Sequence, residues 1–68
     1  MKDGDRVMFV GRGRYAKWFF GQLGTVVHYT YHPDGRSSCR VRWLNPIKYH
    51  DRFTSVSDFR ADQFEIAK

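Results

Sequence analysis

Hydrophobic and polar residues alternate over short stretches of this chain, and turn-forming residues separate one stretch from the next. This period of two predicts β-strands, because successive side chains of a strand point to opposite faces. No window has the spacing of an amphipathic helix. In "GDRVMFVG" the pattern predicts a first strand with Val7 and Phe9 on its inner face.

The second and third strands are predicted on either side of a tight turn. "LGTVVHYTY" predicts the second strand, in which Gly24 favours a bulge or a close backbone approach. Proline, aspartate and glycine in "HPDGRSS" are typical of a turn. "CRVRWL" predicts the third strand, because Cys39, Val41 and Trp43 alternate with arginines and should lie on the inner face.

Two further short strands are predicted after an Asn-Pro pair, which we expect to end the third strand. The fourth strand is expected around residues 52–56. Ser57 or Asp58 is a candidate cap for one short helical turn. "QFEIA" predicts the fifth strand, with Phe64 and Ile66 pointing inward.

These elements describe an all-β fold: a small five-stranded SH3-like barrel formed by a single domain over residues 1–68. A long first loop after Gly11 and one short helical turn before the last strand complete it. The loop contains the run "WFF". If this run is extended, one of Trp18, Phe19 and Phe20 must be exposed, because alternation turns at most two rings inward.

Length and charge narrow the class of protein. A chain of 68 residues has room for one hydrophobic core, and its single cysteine rules out an internal disulfide. No apolar stretch approaches the length of a membrane span or a signal peptide, so we expect a cytoplasmic protein without membrane insertion. The net charge is +5, and the cations concentrate in the middle of the chain. Such a field favours nucleic acid or an acidic protein surface, although a merely solvated surface would have the same composition.

The segments "GDRVMFVG", "GQLGTVV" and "CRVRWL" resemble the opening strands of KOW-type and Tudor-like small barrels. "YAKWFFGQLGTV" and "RVRWLNPIKY" are loosely similar to segments of the photosystem I reaction-centre subunit IV family. The chain departs from that family in the insertion "HYTYHPDGRSSC" and in "TSVSDFRADQF" before the last strand. The resemblance implies an SH3-like barrel, and a binding or docking module rather than an enzyme.

Residues that would carry catalysis are sparse. His28 and His32 are spaced so that a helix would place both on one face as metal ligands. Their segment, however, is predicted as strand and turn. Cys39 is expected on an inner face, where a thiol is inert. The opening also resembles that of a plasmid-borne dihydrofolate reductase, but the Val-Gln-Ile-Tyr stretch of that enzyme has no counterpart here. We therefore expect no enzymatic activity, no cofactor, no metal site and no small-molecule substrate.

Cations and aromatic residues together form the candidate contact surface, because arginine matches phosphate and aromatic rings stack on bases. The candidates are Arg12, Arg14, Tyr15, Lys17 and Trp18 in the first loop, Arg40 and Arg42 on the third strand, and Lys48, Tyr49 and Arg52 beyond it. The first hypothesis is a module that contacts nucleic acid or a nucleic-acid-bound complex through the first loop and the third strand. The alternative is a docking module on a larger assembly, of polymerase or photosystem type, encoded by a phage or mobile element. A monomer and a homodimer are both compatible with the sequence.

Overall fold

Five antiparallel strands form one sheet in the computed structural model, which describes residues 1–67. Lys68, the last residue of the predicted domain, lies outside the described residues. The strands are β1 (Arg6–Phe9), β2 (Leu23–Thr30), β3 (Ser38–Tyr49), β4 (Arg52–Arg60) and β5 (Phe64–Ile66), in the spatial order β4-β3-β2-β1-β5. A short helix, α1 (Ala16–Phe19), lies in the first loop, and a single 3-10 turn (Ala61–Gln63) precedes β5. The all-β class, the five strands and the turn before the last strand are thereby confirmed.

The inner face of the sheet carries the core, as the alternation predicts. Val7 and Phe9 of β1 are buried, and so are Cys39, Val41 and Trp43 of β3. The other buried hydrophobic residues are Phe19, Val26, Ile47 and Phe64. Fully burying a side chain of this kind stabilises the fold by about 1.5–3 kcal/mol, so this cluster supplies most of the driving force.

The sheet is strongly curled. β1 and β4 are separated by β2 and β3 in the sheet order, yet the rings of Phe9 and Phe59 have centroids 4.9 Å apart in an edge-to-face contact. Phe59 on β4 also lies 6.0 Å from Phe64 on β5. The curl therefore brings the two edge strands towards each other over a shared aromatic core.

The prediction that the Asn-Pro pair ends the third strand is wrong. β3 continues through Asn45 and Pro46, but its register with β4 shifts between Arg42 and Ile47. Proline has no N–H to donate and is tolerated in strands only where a ladder hydrogen bond is absent. The break in pairing thus accommodates Pro46 without ending the strand.

The region before β5 also differs from its prediction. β4 extends to Arg60, so Ser57 and Asp58 are strand residues, and no side chain caps the 3-10 turn. Phe64 is buried as predicted, whereas Ile66 is 45% exposed. Ile66 ends a three-residue edge strand that pairs only with β1, so no further strand covers it.

Gly24 confirms a close backbone approach. A Cβ atom at this position would overlap Cγ1 of Val41 and would lie 2.8 Å from the carbonyl oxygen of Arg42. The irregularity in β2 lies instead between Val26 and His28, where the register with β3 shifts. Glycine at position 24 therefore serves packing between β2 and β3 rather than a bulge.

The first loop is not extended at "WFF", because α1 ends there. Phe19 is buried, Trp18 is half-buried and Phe20 is 51% exposed. The expectation of one exposed ring assumed an extended run, and that assumption is wrong; at the end of the helix that forms instead, Phe20 is the most exposed of the three rings. No helix within residues 1–67 is long and apolar enough to span a membrane.

Candidate functional site

The helix α1 orients the aromatic residues of the first loop. The helix is too short to be stable alone, so packing must hold it. Phe19 supplies that packing, because its ring stacks on Trp43 at a centroid distance of 5.3 Å. Gly21, with φ 81°, then returns the chain to β2. With Phe19 fixed in the core, the preceding Trp18 lies at the rim of the molecule, where it reaches the end of β3.

The turn between β3 and β4 meets this rim. His50 occupies the turn with φ 58°, in the left-handed region that a non-glycine residue seldom adopts. Its imidazole centroid lies 4.3 Å from the ring of Tyr49 and 5.0 Å from that of Trp18. Trp18 and Tyr49 are themselves 4.7 Å apart. These ring contacts hold the uncommon backbone conformation in place.

Between the first loop and this turn lies an open cleft of about 450 Å³, here called the basic cleft. Its lining residues are Arg14, Tyr15, Lys17, Trp18, Tyr49 and His50. Nζ of Lys17 lies 4.3 Å from the centroid of Trp18, and Cζ of Arg14 lies 5.9 Å from that of Tyr15. These cation–π contacts order the two long side chains at the cleft. The cleft thus combines fixed positive charge with aromatic surface, and none of its described lining residues is acidic.

A second cavity of about 360 Å³, here called the aromatic pocket, adjoins the basic cleft. It is lined by Tyr15, Phe19, Tyr49, Thr54, Ser57, Asp58 and Phe59. Tyr15 and Tyr49 line both cavities, and their ring centroids are 6.1 Å apart. The two tyrosines therefore form the wall between a basic site and an aromatic one.

Five of the ten predicted contact residues meet at the basic cleft: Arg14, Tyr15, Lys17, Trp18 and Tyr49. Lys48 and Arg52 are not in the cleft lining, although Lys48 precedes Tyr49 on β3 and Arg52 pairs with Tyr49 from β4. His50, which the prediction omitted, also lines the cleft. Its place directly after Tyr49 in the chain was the available signal, but the ring contacts that position it depend on the folded turn.

The remaining predicted cations lie elsewhere. Arg12 rests over the exposed ring of Phe20 at 5.7 Å. Arg40 donates hydrogen bonds to the Asp58 carboxylate at 2.9 and 3.3 Å. These bonds hold the pKa of Asp58 below its usual value. Arg42 pairs across the sheet with Thr25 and Val56, outside the cleft lining. The cations of β3 therefore do not line the cleft that the first loop forms.

None of the residues considered for catalysis, His28, His32 and Cys39, is in the lining of the basic cleft. Cys39 is buried, and burial raises its thiol pKa to about 11, with a smaller contribution from the Asp58 charge. Such a thiol is protonated at neutral pH and is a poor nucleophile. Within residues 1–67, no group of three or more His, Cys, Asp or Glu side chains is placed to hold a metal ion.

Comparison with protein-family models, curated proteins and solved structures gave no match to this chain. The likeness to KOW-type and Tudor-like barrels therefore stays a prediction. The residues of the basic cleft and the aromatic pocket are the basis for assigning a function.

Proposed function

We propose that this protein is a non-enzymatic module that binds nucleic acid in the basic cleft, through the first loop and the end of β3. One observation carries the proposal: Arg14 and Lys17 share a cleft with the rings of Trp18 and Tyr49. Proteins that bind nucleic acid without a sequence code combine these two components, a cationic groove for phosphates and aromatic rings for bases.

The electrostatic setting supports the same function. A net charge of +5 on 68 residues attracts polyanions over a distance of about one Debye length, roughly 8 Å at physiological salt. Arg36, Arg40 and Arg60 are each paired with an aspartate, whereas the described contacts of Arg14 and Lys17 are with aromatic rings. These two charges are therefore available to phosphate at little cost in broken ion pairs.

Titration with short DNA and RNA at several salt concentrations tests the proposal. Wild-type binding should weaken steeply as salt rises, because each neutralised phosphate releases counterions. In the double variant Arg14→Gln, Lys17→Gln, the slope of log K against log salt should become shallower by about 2. The matched control is Lys2→Gln with Arg6→Gln, which removes the same charge from exposed residues outside the cleft lining.

Two results would contradict nucleic-acid binding in the basic cleft. One is an absence of binding to any strand at low salt. The other is a control variant that loses as much salt dependence as the cleft variant. The second result would indicate a diffuse attraction by net charge rather than a site.

A second function, docking to a protein, is favoured by a separate observation on the outer face of the sheet. Leu23, Leu44 and Val56 are 37%, 47% and 42% exposed. Val56 pairs with Arg42, and Leu44 stands two residues from Arg42 on the same strand, so these side chains share a face. If the chain binds no nucleic acid but retains a protein from nuclease-treated extract, and Leu44→Ser releases that protein, docking is the function.

A further inference from the structure

The basic cleft and the aromatic pocket differ in chemistry although they share a wall. Arg14 and Lys17 line the basic cleft, and no lysine or arginine lines the aromatic pocket. Four aromatic rings line the aromatic pocket, those of Tyr15, Phe19, Tyr49 and Phe59. The hydroxyl groups of Thr54 and Ser57 line it as well. The one charged residue in its lining, Asp58, is engaged by Arg40. A phosphate therefore fits the cleft, whereas the pocket suits a flat and uncharged group.

The polar groups of the pocket retain hydrogen-bonding capacity. Trp43 Nε1 donates to Ser57 Oγ at 3.0 Å, so the Ser57 hydroxyl hydrogen is free to donate. The Thr54 hydroxyl donates to the carbonyl of Val56 at 2.9 Å, so its oxygen can still accept. A pocket with aromatic walls, one free donor and one free acceptor matches the face and the edge of a nucleobase.

We propose that the ligand of this site is a single strand, with an unpaired base inserted in the aromatic pocket against Tyr15 and Tyr49 while the adjoining phosphate lies in the basic cleft. The inference rests on the proposed nucleic-acid function and specifies its ligand. In a duplex the bases are already stacked and paired, so only phosphates would be accessible to the cleft. A single strand has free base faces, and stacking of one base on an aromatic side chain contributes about 1–3 kcal/mol.

Four fluorescent probes of equal length, about eight nucleotides per strand, separate these contributions in equilibrium titrations. They are single-stranded RNA, single-stranded DNA of the same sequence, the corresponding DNA duplex, and an abasic DNA strand that keeps every phosphate but has no bases. Both base-containing strands should bind more tightly than the abasic strand, by roughly five- to a hundredfold. The duplex, whose bases are already paired, should bind less tightly than either base-containing single strand at equal phosphate concentration.

The variant Tyr15→Leu tests the pocket itself. Tyr15 is 37% exposed, and leucine keeps apolar contact with Phe19 and Phe59 while removing the ring that a base would stack on. The ratio of affinities for base-containing and abasic strands should fall towards 1. This ratio is the readout, because Tyr15 also lines the basic cleft and contacts Arg14, so that its loss can weaken the binding of all strands by a common factor. Tyr31→Leu is the matched control, because Tyr31 is 69% exposed and lines neither cavity. This control should keep the wild-type ratio.

Each outcome separates the two levels of the proposal. If no probe binds, both the nucleic-acid function and the single-strand ligand are overturned. If all four probes bind equally, nucleic-acid binding stands, but base insertion is overturned. If Tyr15→Leu weakens the abasic and the base-containing strands by the same factor, Tyr15 acts on phosphate binding or on the fold, and the pocket assignment is overturned.

Discussion

The two tryptophans of this chain have different surroundings, Trp43 in the core and Trp18 in the lining of the basic cleft. Trp43 is 4% exposed, stacks on Phe19, and donates its indole N–H to Ser57. Trp18 is half-buried at the rim, contacts Tyr49 and His50, and lies beneath the ammonium group of Lys17. The difference shows that the neighbours of an aromatic ring, and not its presence, distinguish a core residue from a candidate binding residue.

The largest expected effect separates these two residues directly. Trp43→Ala should destabilise the fold by about 3–5 kcal/mol, because it leaves a large cavity at the centre of the core. A loss of this size is comparable to the whole stability of so small a domain. Trp18→Ala should cost much less stability but should weaken single-strand binding. Urea denaturation followed by circular dichroism measures the first effect, and titration measures the second.

If Trp43→Ala does not fold, its stability cannot be measured, so a milder substitution at the same position is needed. Trp43→Phe keeps an aromatic ring in the core but removes the donor to Ser57, and it should fold with reduced stability. The comparison between the tryptophans fails if Trp18→Ala lowers the free energy of unfolding by more than Trp43→Phe does.

Two glycines extend the comparison from side chains to the backbone. Gly24→Ala should destabilise by about 3 kcal/mol, the upper end for overpacking, because its Cβ would meet Val41 and the Arg42 carbonyl. Gly13→Ala, in the first loop, should change stability little, since nothing lies within 4 Å of a Cβ there. Thermal melting of both variants measures the contrast. Equal melting temperatures would show that β2 and β3 can separate at Gly24, contrary to their described packing.

The sequence predicts the buried residues of the sheet better than the structure of the surface around the basic cleft. Alternation over β1 and β3 correctly assigns Val7, Phe9, Val41 and Trp43 to the interior, because strand geometry relates neighbouring positions by a fixed rule. Alternation does not predict whether a strand continues across a break in its register with the neighbouring strand. The continuation of β3 through Pro46 depends on pairing that shifts against β4, and pairing is not a local property.

The candidate site is predictable in composition but not in arrangement. The cations and rings of the first loop stand out in the sequence, and so does Tyr49. Their convergence depends on α1, which local propensity does not predict and which forms because Phe19 packs on Trp43. The same dependence explains why Arg40 and Arg42 are not in the cleft lining: their strand positions are predictable, but their distance from the loop is not.

The smallest expected effect concerns Cys39, the one ionisable group among the buried core residues of the described chain. Its pKa is raised to about 11 from an ordinary value of 9.0, chiefly because burial disfavours the thiolate. Since the unfolded chain ionises first, stability should be little affected below about pH 8 and should fall, by roughly 2 kcal/mol, as pH rises towards 11. Lysines and tyrosines also titrate in this range, so the measurement is the difference in urea stability between the wild type and Cys39→Ala at pH 8 and at pH 10.5. The variant should lose less stability than the wild type across this interval. If both lose the same amount, Cys39 is accessible to water in the folded state, and the inner face of β3 is less closed than that of a core strand.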